Sequence, residues 1–313
     1  MNKPLKILFM GSPEVALPSL KVLIESKDQL VAVVSQPDRP SGRGQETQPC
    51  AVARFAREQG IPLLQPEKID DDFVGRIREL APDLAVVVAY GKLLPRAFLS
   101  LLPNRCLNVH FSLLPRYRGA APIQWALLND EEETGVTTMI ISEKLDAGPV
   151  LLQKKIAIGE EDNAEILGAR LANAGAQLLE ETMEGWRQEE LTPRPQNERE
   201  VTLAPSLKKD DGKIDWTRKA KVIWCQVRAL NPWPGAWTVL DGKRVKIHRA
   251  DIVPRTEKRV PGEIYGLEPD GIEVVCGQNT LLITELQIEG KKKMSASEFL
   301  HGYPLSEGKR FGE

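Results

Sequence analysis

Three short runs early in the chain are apolar without alternation: "LKILFMG" (5–11), "LVAVVSQ" (30–36) and "DLAVVVAYG" (83–91). Strands that are apolar on both faces must be covered on both, which calls for a parallel sheet flanked by helices. "CLNVHF" (106–111) is a weaker fourth run. Helical patterning is expected over 13–26, 49–59, 70–80 and 93–101. Two extended segments follow within 134–158, and a long helix at about 163–186. This alternation sets the class as α/β, an open doubly wound, mainly parallel sheet of Rossmann-like type.

The pattern changes in "RQEELTPRPQNEREVTLAPSLKKDD" (187–211), which is polar, charged and proline-bearing. A helix is expected near 217–229, then strands at 236–240, 243–250, 261–266, 271–276 and 280–288. Turn signals such as "LDGKR" and "PDG" separate them, and such spacing suggests a small antiparallel, OB-like barrel. The expected division is a catalytic domain over 1–189, a linker over 190–208 and a β-barrel domain over 209–313. A chain of 313 residues is long enough for two cores.

Charge divides unevenly. Residues 1–205 carry 23 Lys and Arg against 29 Asp and Glu, whereas residues 206–313 carry 19 against 15. A basic second half suits a polyanionic partner. No apolar run approaches the length of a membrane span. The opening residues enter a strand pattern at once, so neither leader nor transit peptide is expected and the location is expected to be cytoplasmic. Cys50, Cys106, Cys225 and Cys276 form no CxxC pair and are expected as reduced, mostly buried thiols. With three dispersed histidines, no metal is expected.

A doubly wound domain invites a dinucleotide, but the first turn, "MGSPEVALPSL", has no second glycine. GxGxxG, GxxxxGK[ST] and GxSxG are all missing, which removes the motif support for NAD, ATP and serine-hydrolase chemistry. What remains is the end of the fourth strand, where ligands of such sheets bind. "NVH" places Asn108 and His110 on one side of an extended chain. An amide N–H beside a protonated imidazole suits a developing oxyanion. Keeping that imidazole charged needs a carboxylate, and "EKLDAGPV" (143–150) offers Asp146. Each also has a plainer reading: His110 as a hydrogen-bonded structural residue, Asn108 as a turn cap, Asp146 as a turn former.

At these residues the sequence resembles the folate-dependent formyltransferases. The family pattern Asn-x-His-x-SLLP followed by a basic residue and Gly appears as "NVHFSLLPRYRG", with the loop Asp in "LDAGPVL". "QPDRPSGRG" (36–44), "VVVAYGKLLP" (86–95), "GAAPIQWAL" (119–127), "ALNPWPGAW" (229–237) and "GKKKMSASEFL" (290–300) extend the resemblance over essentially the whole chain. It implies transfer of the formyl group of 10-formyltetrahydrofolate to the α-amine of methionine esterified to initiator tRNA. Asn108 and His110 would hold the oxyanion, and Asp146 would orient and charge the imidazole. Ser112, Leu113, Leu114 and Pro115, with Val88, Tyr90 and Gly91, would bind the folate. Arg43, Lys208 and Lys209 would contact the tRNA, and the enzyme would be a monomer.

Sister enzymes that formylate a small amine, and hydrolases that release the formyl group to water, share the three polar residues. Two departures stand out. Gln45 and Glu46 follow "GRG" where many members have lysines, and Phe111 stands where relatives usually have Gly or Pro. On an extended chain Phe111 should point away from Asn108 and His110. Trp233 and Trp237 are expected as core or interface anchors.

Overall fold

The computed structural model describes residues 4–41, 46–256 and 259–312. The chain forms two compact units. Unit 1 comprises Met1–Pro122, Glu133–Ala157 and Gly168–Pro205; unit 2 comprises Ile123–Glu132, Ile158–Leu167 and Ser206–Glu313. In chain order the elements begin with β1 (Lys6–Gly11), α1 (Leu17–Glu25), β2 (Gln29–Val34), β3 (Arg39–Ser41), β4 (Glu46–Gln48), α2 (Ala51–Glu58) and β5 (Leu63–Leu64). They continue with α3 (Asp71–Leu80), β6 (Leu84–Val88), α4 (Arg96–Leu99), β7 (Cys106–His110), β8 (Arg118–Gly119) and α5 (Pro122–Leu128). β9 (Glu133–Ile140), β10 (Val150–Ala157), α6 (Ala164–Arg187) and β11 (Leu203–Ala204) follow.

Unit 1 is built on a seven-stranded sheet of order β10-β9-β7-β6-β1-β2-β5. β5, β2, β1, β6 and β7 are parallel, and β9 and β10 run antiparallel at one side. All five residues of β6 are buried, as are five of the six in β1. β10, at the sheet edge, alternates half-buried and exposed residues beyond its first two. The uniformly apolar runs are thus the centre of the sheet, as their patterning requires. The chain moves outward from β1 through β2 to β5 and returns to β6 on the other side of β1, so strand order switches between β1 and β6. Gly11 pairs with Val88 there. A Cβ at Gly11 would come 2.8 Å from the Val88 carbonyl oxygen, so only glycine lets the two strand ends approach this closely.

Helix ends follow local chemistry. The Asp70 side chain accepts from Phe73 N–H at 3.1 Å and caps α3, and Asp71 and Asp72 occupy its positive first turn. The 13–26 helix begins as a 3₁₀ turn at Glu14–Ala16. The 93–101 helix shrinks to the four residues of α4, because Pro95 keeps the residue before it extended. Residues 190–208, polar enough to read as a linker, include β11, which pairs with β8. Arg194 also bridges to Val150. Composition cannot reveal such pairing, since the hydrogen bonds come from the main chain.

Unit 2 contains α7 (Ala220–Leu230), β12 (Ala236–Leu240), β13 (Lys243–Val253), β14 (Ile264–Glu268), β15 (Gly271–Val275), β16 (Thr280–Ile288), β17 (Met294–Ser295) and α8 (Ala296–Gly302). Its antiparallel sheet has the order β12-β13-β16-β15-β14, with β17 on β16. The core gathers Ile223 and Val227 of α7, Val245 and Ile247 of β13, Ile283 of β16 and Phe299 of α8. α8 starts at a capping box in which Ser295 and Glu298 satisfy each other's backbone N–H groups. Trp233 is 55% exposed, a departure from the expected anchor, since it lies in a proline-flanked loop with no pleat to bury it. Trp237 is half-buried beneath Arg244, whose guanidinium lies 4.0 Å from the ring centroid. Cys106, Cys225 and Cys276 are buried free thiols, and burial pushes each up to about 12.

Candidate active site

Asn108 and His110 are alternate residues of β7. Asn108 pairs with Val87 and Met139, and His110 with Thr137, so both side chains leave the same face of the sheet. Phe111 is buried. A Cβ at Gly175 of α6 would lie 3.4 Å from its ring, so Phe111 packs under α6. Asn108 is half-buried, and its amide has no hydrogen-bond partner among the described residues.

The imidazole of His110 is 6% exposed. Its Nε2 lies 3.0 Å from the Tyr117 carbonyl oxygen. A carbonyl only accepts, so Nε2 carries a hydrogen and donates. That leaves Nδ1 facing Asp146 Oδ2 across 3.7 Å, beyond hydrogen-bond length. The carboxylate is itself anchored, since Gly119 N–H donates to Asp146 Oδ2 at 2.8 Å. The structure therefore brings Asn108, His110 and Asp146 to one place, joined through the turn after β7. That turn is fixed in its own right: Tyr117 N–H donates to Thr202 Oγ1 and Arg118 N–H to the Thr202 carbonyl.

Residues 112–115 are clamped from beneath. Thr137 Oγ1 donates to the Ser112 carbonyl at 2.6 Å and accepts from Leu114 N–H. Gln153 Nε2 donates to the Leu114 carbonyl at 2.8 Å, and Ser112 Oγ to the Arg116 carbonyl at 2.6 Å. Leu113 lies against Gly135, where a Cβ would collide with it. Leu114 packs with Met139 and Val150, and Pro115 completes the turn. Val88 ends β6 and is buried. Tyr90 has its ring in the unit 1 core with Leu8, Phe73 and Phe98, so it reaches the strand end only through its main chain. Its carbonyl accepts from Gln36 Nε2 at 3.0 Å. Gly91 has φ +81° beside the same amide.

Leu93 and Leu145 stand out as exposed leucines, at 70% and 54%. Leu93 lies just before α4 and Leu145 beside Asp146, and an exposed Arg96–Glu143 ion pair at 3.4 Å links the two stretches. An unpartnered amide, a free imidazole nitrogen and two exposed apolar side chains fit a planar ligand carrying a reactive carbonyl. Among the described residues no cluster of His, Cys, Asp or Glu could hold a metal ion.

Arg43 and Gln45 lie outside the described residues. The β3–β4 ladder on either side of them pairs Arg39 with Gln48 and Pro40 with Thr47. Asp38, leading into that ladder, accepts from Gln65 and Arg57 at 2.7 and 2.9 Å. These bonds hold its carboxyl below the usual range. Lys208 and Lys209 are exposed, and the Lys209 carbonyl accepts from Trp237 Nε1 at 3.3 Å. Sequence reasoning missed Tyr117, Thr137, Gln153 and Thr202, which hold the site through main-chain contacts. No residue pattern signals such contacts, because the partners lie in distant stretches of chain.

The family model described as Formyl transferase matches residues 5–183, and that described as Formyl transferase, C-terminal domain matches 206–304. The methionyl-tRNA formyltransferase of Citrifermentans bemidjiense is 47% identical over 310 residues, covering 99% of this chain and 97% of its own. That of Thermodesulfovibrio yellowstonii is 48% identical over 303 residues, 96% and 97% of the two chains. Among solved structures, the N-formyltransferase of Helicobacter canadensis with folinic acid and dTDP-3-aminofucose has the same fold. Its TM-score is 0.66 at 18% identity, over 89% of this chain and 98% of that one. HypX of Aquifex aeolicus with tetrahydrofolic acid gives a TM-score of 0.64 at 19% identity over 95% of this chain. This chain spans 47% of that longer protein. With both domain models matched in order and relatives near half identical along the full length, the chain belongs to the formyl transferase family.

Proposed function

We propose that the chain transfers the formyl group of 10-formyltetrahydrofolate to the α-amine of methionine on initiator tRNA. The observation that carries this reading is the 47% identity to a methionyl-tRNA formyltransferase over both units. One protein sharing the fold is named a sugar 3N-formyl transferase, so the fold alone does not fix the accepting amine. The folate, when bound, supplies an electrophilic formyl carbon.

Asn108 and His110 then act on its oxygen. As the amine nitrogen adds to the formyl carbon, charge develops on that oxygen, and the Asn108 amide and His110 Nδ1 donate to it. Donation from Nδ1 requires the imidazolium, since Nε2–H is committed to Tyr117. Asp146, facing Nδ1, stabilises that positive ring and is the carboxylate placed to accept the amine proton, directly or through one water. The new C–N bond persists, the bond to the folate nitrogen breaks, and that nitrogen leaves with a proton. Removing one preorganised donor from such a site costs about 10²–10³ in rate.

Unit 2 and the stretch of sequence around Arg43 take the tRNA, with Lys208 and Lys209 on its phosphates. The enzyme works as a cytoplasmic monomer. Incubation with 10-formyltetrahydrofolate and Met-tRNA should yield N-formylmethionyl-tRNA. Formyl transfer only to a small amine or to water would overturn the reading.

A further inference from the structure

The two oxygens that His110 faces are set by one stretch, Tyr117–Gly119. The Tyr117 carbonyl accepts from the imidazole, and Gly119 N–H donates to Asp146. Between them the Arg118 side chain, buried despite its charge, donates from Nε and Nη2 to Gln196 Oε1 at 2.9 and 2.8 Å. Nη1 and Nη2 also reach the Glu198 carboxylate at 3.3 and 2.9 Å. Gln196 in turn directs both of its N–H groups at the loop carrying Asp146. Nε2 lies 2.8 Å from the Asp146 carbonyl and 2.8 Å from the Gly148 carbonyl.

A primary amide has two donor hydrogens and an oxygen with two acceptor positions. All four are filled in Gln196, two by Arg118 and two by the Asp146 loop. The amide orientation is fixed by the same partners. Turned over, it would press its NH₂ on a guanidinium and its oxygen on two carbonyls. Asp146 has φ +47°, a backbone state that a non-glycine residue keeps only where its surroundings impose it. Gln196 bonds the carbonyl of that very residue and of the next but one.

We propose that Gln196 is a positioning residue for the formyl transfer, oriented by Arg118 and acting through Asp146. Its amide fixes the loop that aims the Asp146 carboxylate at His110 Nδ1. The proposal rests on the reading that His110 and Asp146 serve the reaction. A misplacement of about 1 Å at a reacting site costs on the order of 10²-fold in rate. Because the 3.7 Å Asp146–His110 spacing is no hydrogen bond, the carboxylate is aimed by the Gly119 N–H together with the loop that Gln196 fixes.

Two variants test it. Gln196→Leu removes all four bonds and leaves Arg118 paired with Glu198. Gln196→Glu keeps an acceptor for Arg118 but turns a carboxylate oxygen toward two carbonyls. Both should lower kcat for Met-tRNA by roughly 10- to 100-fold, with KM for Met-tRNA within about twofold. Amide hydrogen exchange over residues 142–149 should quicken in both. In an Asp146→Asn background, Gln196→Leu should lower kcat no further, because residues acting as one unit are not additive. Wild-type kcat in both variants, unchanged exchange over 142–149, or full multiplication of the Gln196→Leu and Asp146→Asn losses would overturn the proposal. A wild-type chain that formylates no Met-tRNA would instead sink the functional reading, and the exchange measurement would still decide the clamp.

Discussion

His110 Nε2 donates to the Tyr117 carbonyl across 3.0 Å, and this single bond makes Nδ1 the working atom of the ring. With one nitrogen committed to the main chain, rotation of the imidazole would break a buried hydrogen bond. Nδ1 is thereby kept opposite Asp146.

Asp146→Asn keeps an oxygen to accept from Gly119 N–H while removing the charge opposite Nδ1. It should lower kcat by about 10² or more with little change in thermal midpoint. Steady-state kinetics beside a melting curve check it; turnover within twofold of wild type would remove Asp146 from the mechanism.

Gly148→Ala tests how closely the Asp146 loop lies on the sheet. A Cβ there would overlap the Ile140 carbonyl oxygen, so the loop must lift. Overpacking of this kind costs about 1–3 kcal/mol, and turnover should fall with it by on the order of 10²-fold. Denaturant titration and kcat together read the outcome, and an active, equally stable variant would contradict the placement of the loop.

Tyr90 offers the opposite case. Its hydroxyl is buried without a hydrogen-bond partner among the described residues, and burial pushes its pKa up to about 12. An unmet buried donor costs about 1–3 kcal/mol, so Tyr90→Phe should be neutral or stabilise by about 1 kcal/mol. Folate affinity should stay within about twofold, measured by titration calorimetry. A large loss of affinity would mean that the hydroxyl, and not only the main chain, meets the ligand.

The centre of the fold was legible because β1 and β6 are apolar on both faces, a pattern few other environments require. Asn108 and His110 were legible as a pair by their spacing of two, whereas Asp146 was offered by the sequence only as a loop carboxylate until the family resemblance made it the partner of His110. β8 and β11 were not legible, since two-residue strands have no period. α5 and α8 each carried an overlooked signal, Pro122 at the first turn and the Ser295–Glu298 capping box. Tyr90 shows a further limit: an apolar run ending in a tyrosine does not reveal whether the ring joins the core or lines a ligand. Gln196 and Arg118 were invisible for a related reason. Gln196 acts by meeting Asp146 and Gly148, about fifty residues earlier in the chain. Arg118 acts by meeting Gln196, 78 residues later, and polar residues have no period to betray such meetings.

Unit 2 should show a distinct acid response. Glu273 is buried, and hydrogen bonding from Arg255, then from Thr280, holds its carboxyl below the usual glutamate range against the opposing effect of burial. A carboxyl depressed on folding contributes stability that is complete above its unfolded value of about 4.3. That contribution disappears as pH falls through the lower folded value. Glu273→Gln should therefore cost about 1–3 kcal/mol near neutral pH and flatten the loss of stability below about pH 4.3. Urea titrations from pH 3 to pH 7 check this; an unaltered acid slope would count against the pairing as its source.

The central claim is that His110 and Asn108 stabilise charge on the formyl oxygen during transfer to Met-tRNA. Single-turnover formylation of Met-tRNA by wild type, His110→Ala and Asn108→Ala tests it most directly, with folate binding measured in parallel. Each variant should be slower by about 10²–10³ while binding the folate as wild type does. Formylation by either variant at the wild-type rate would contradict the account.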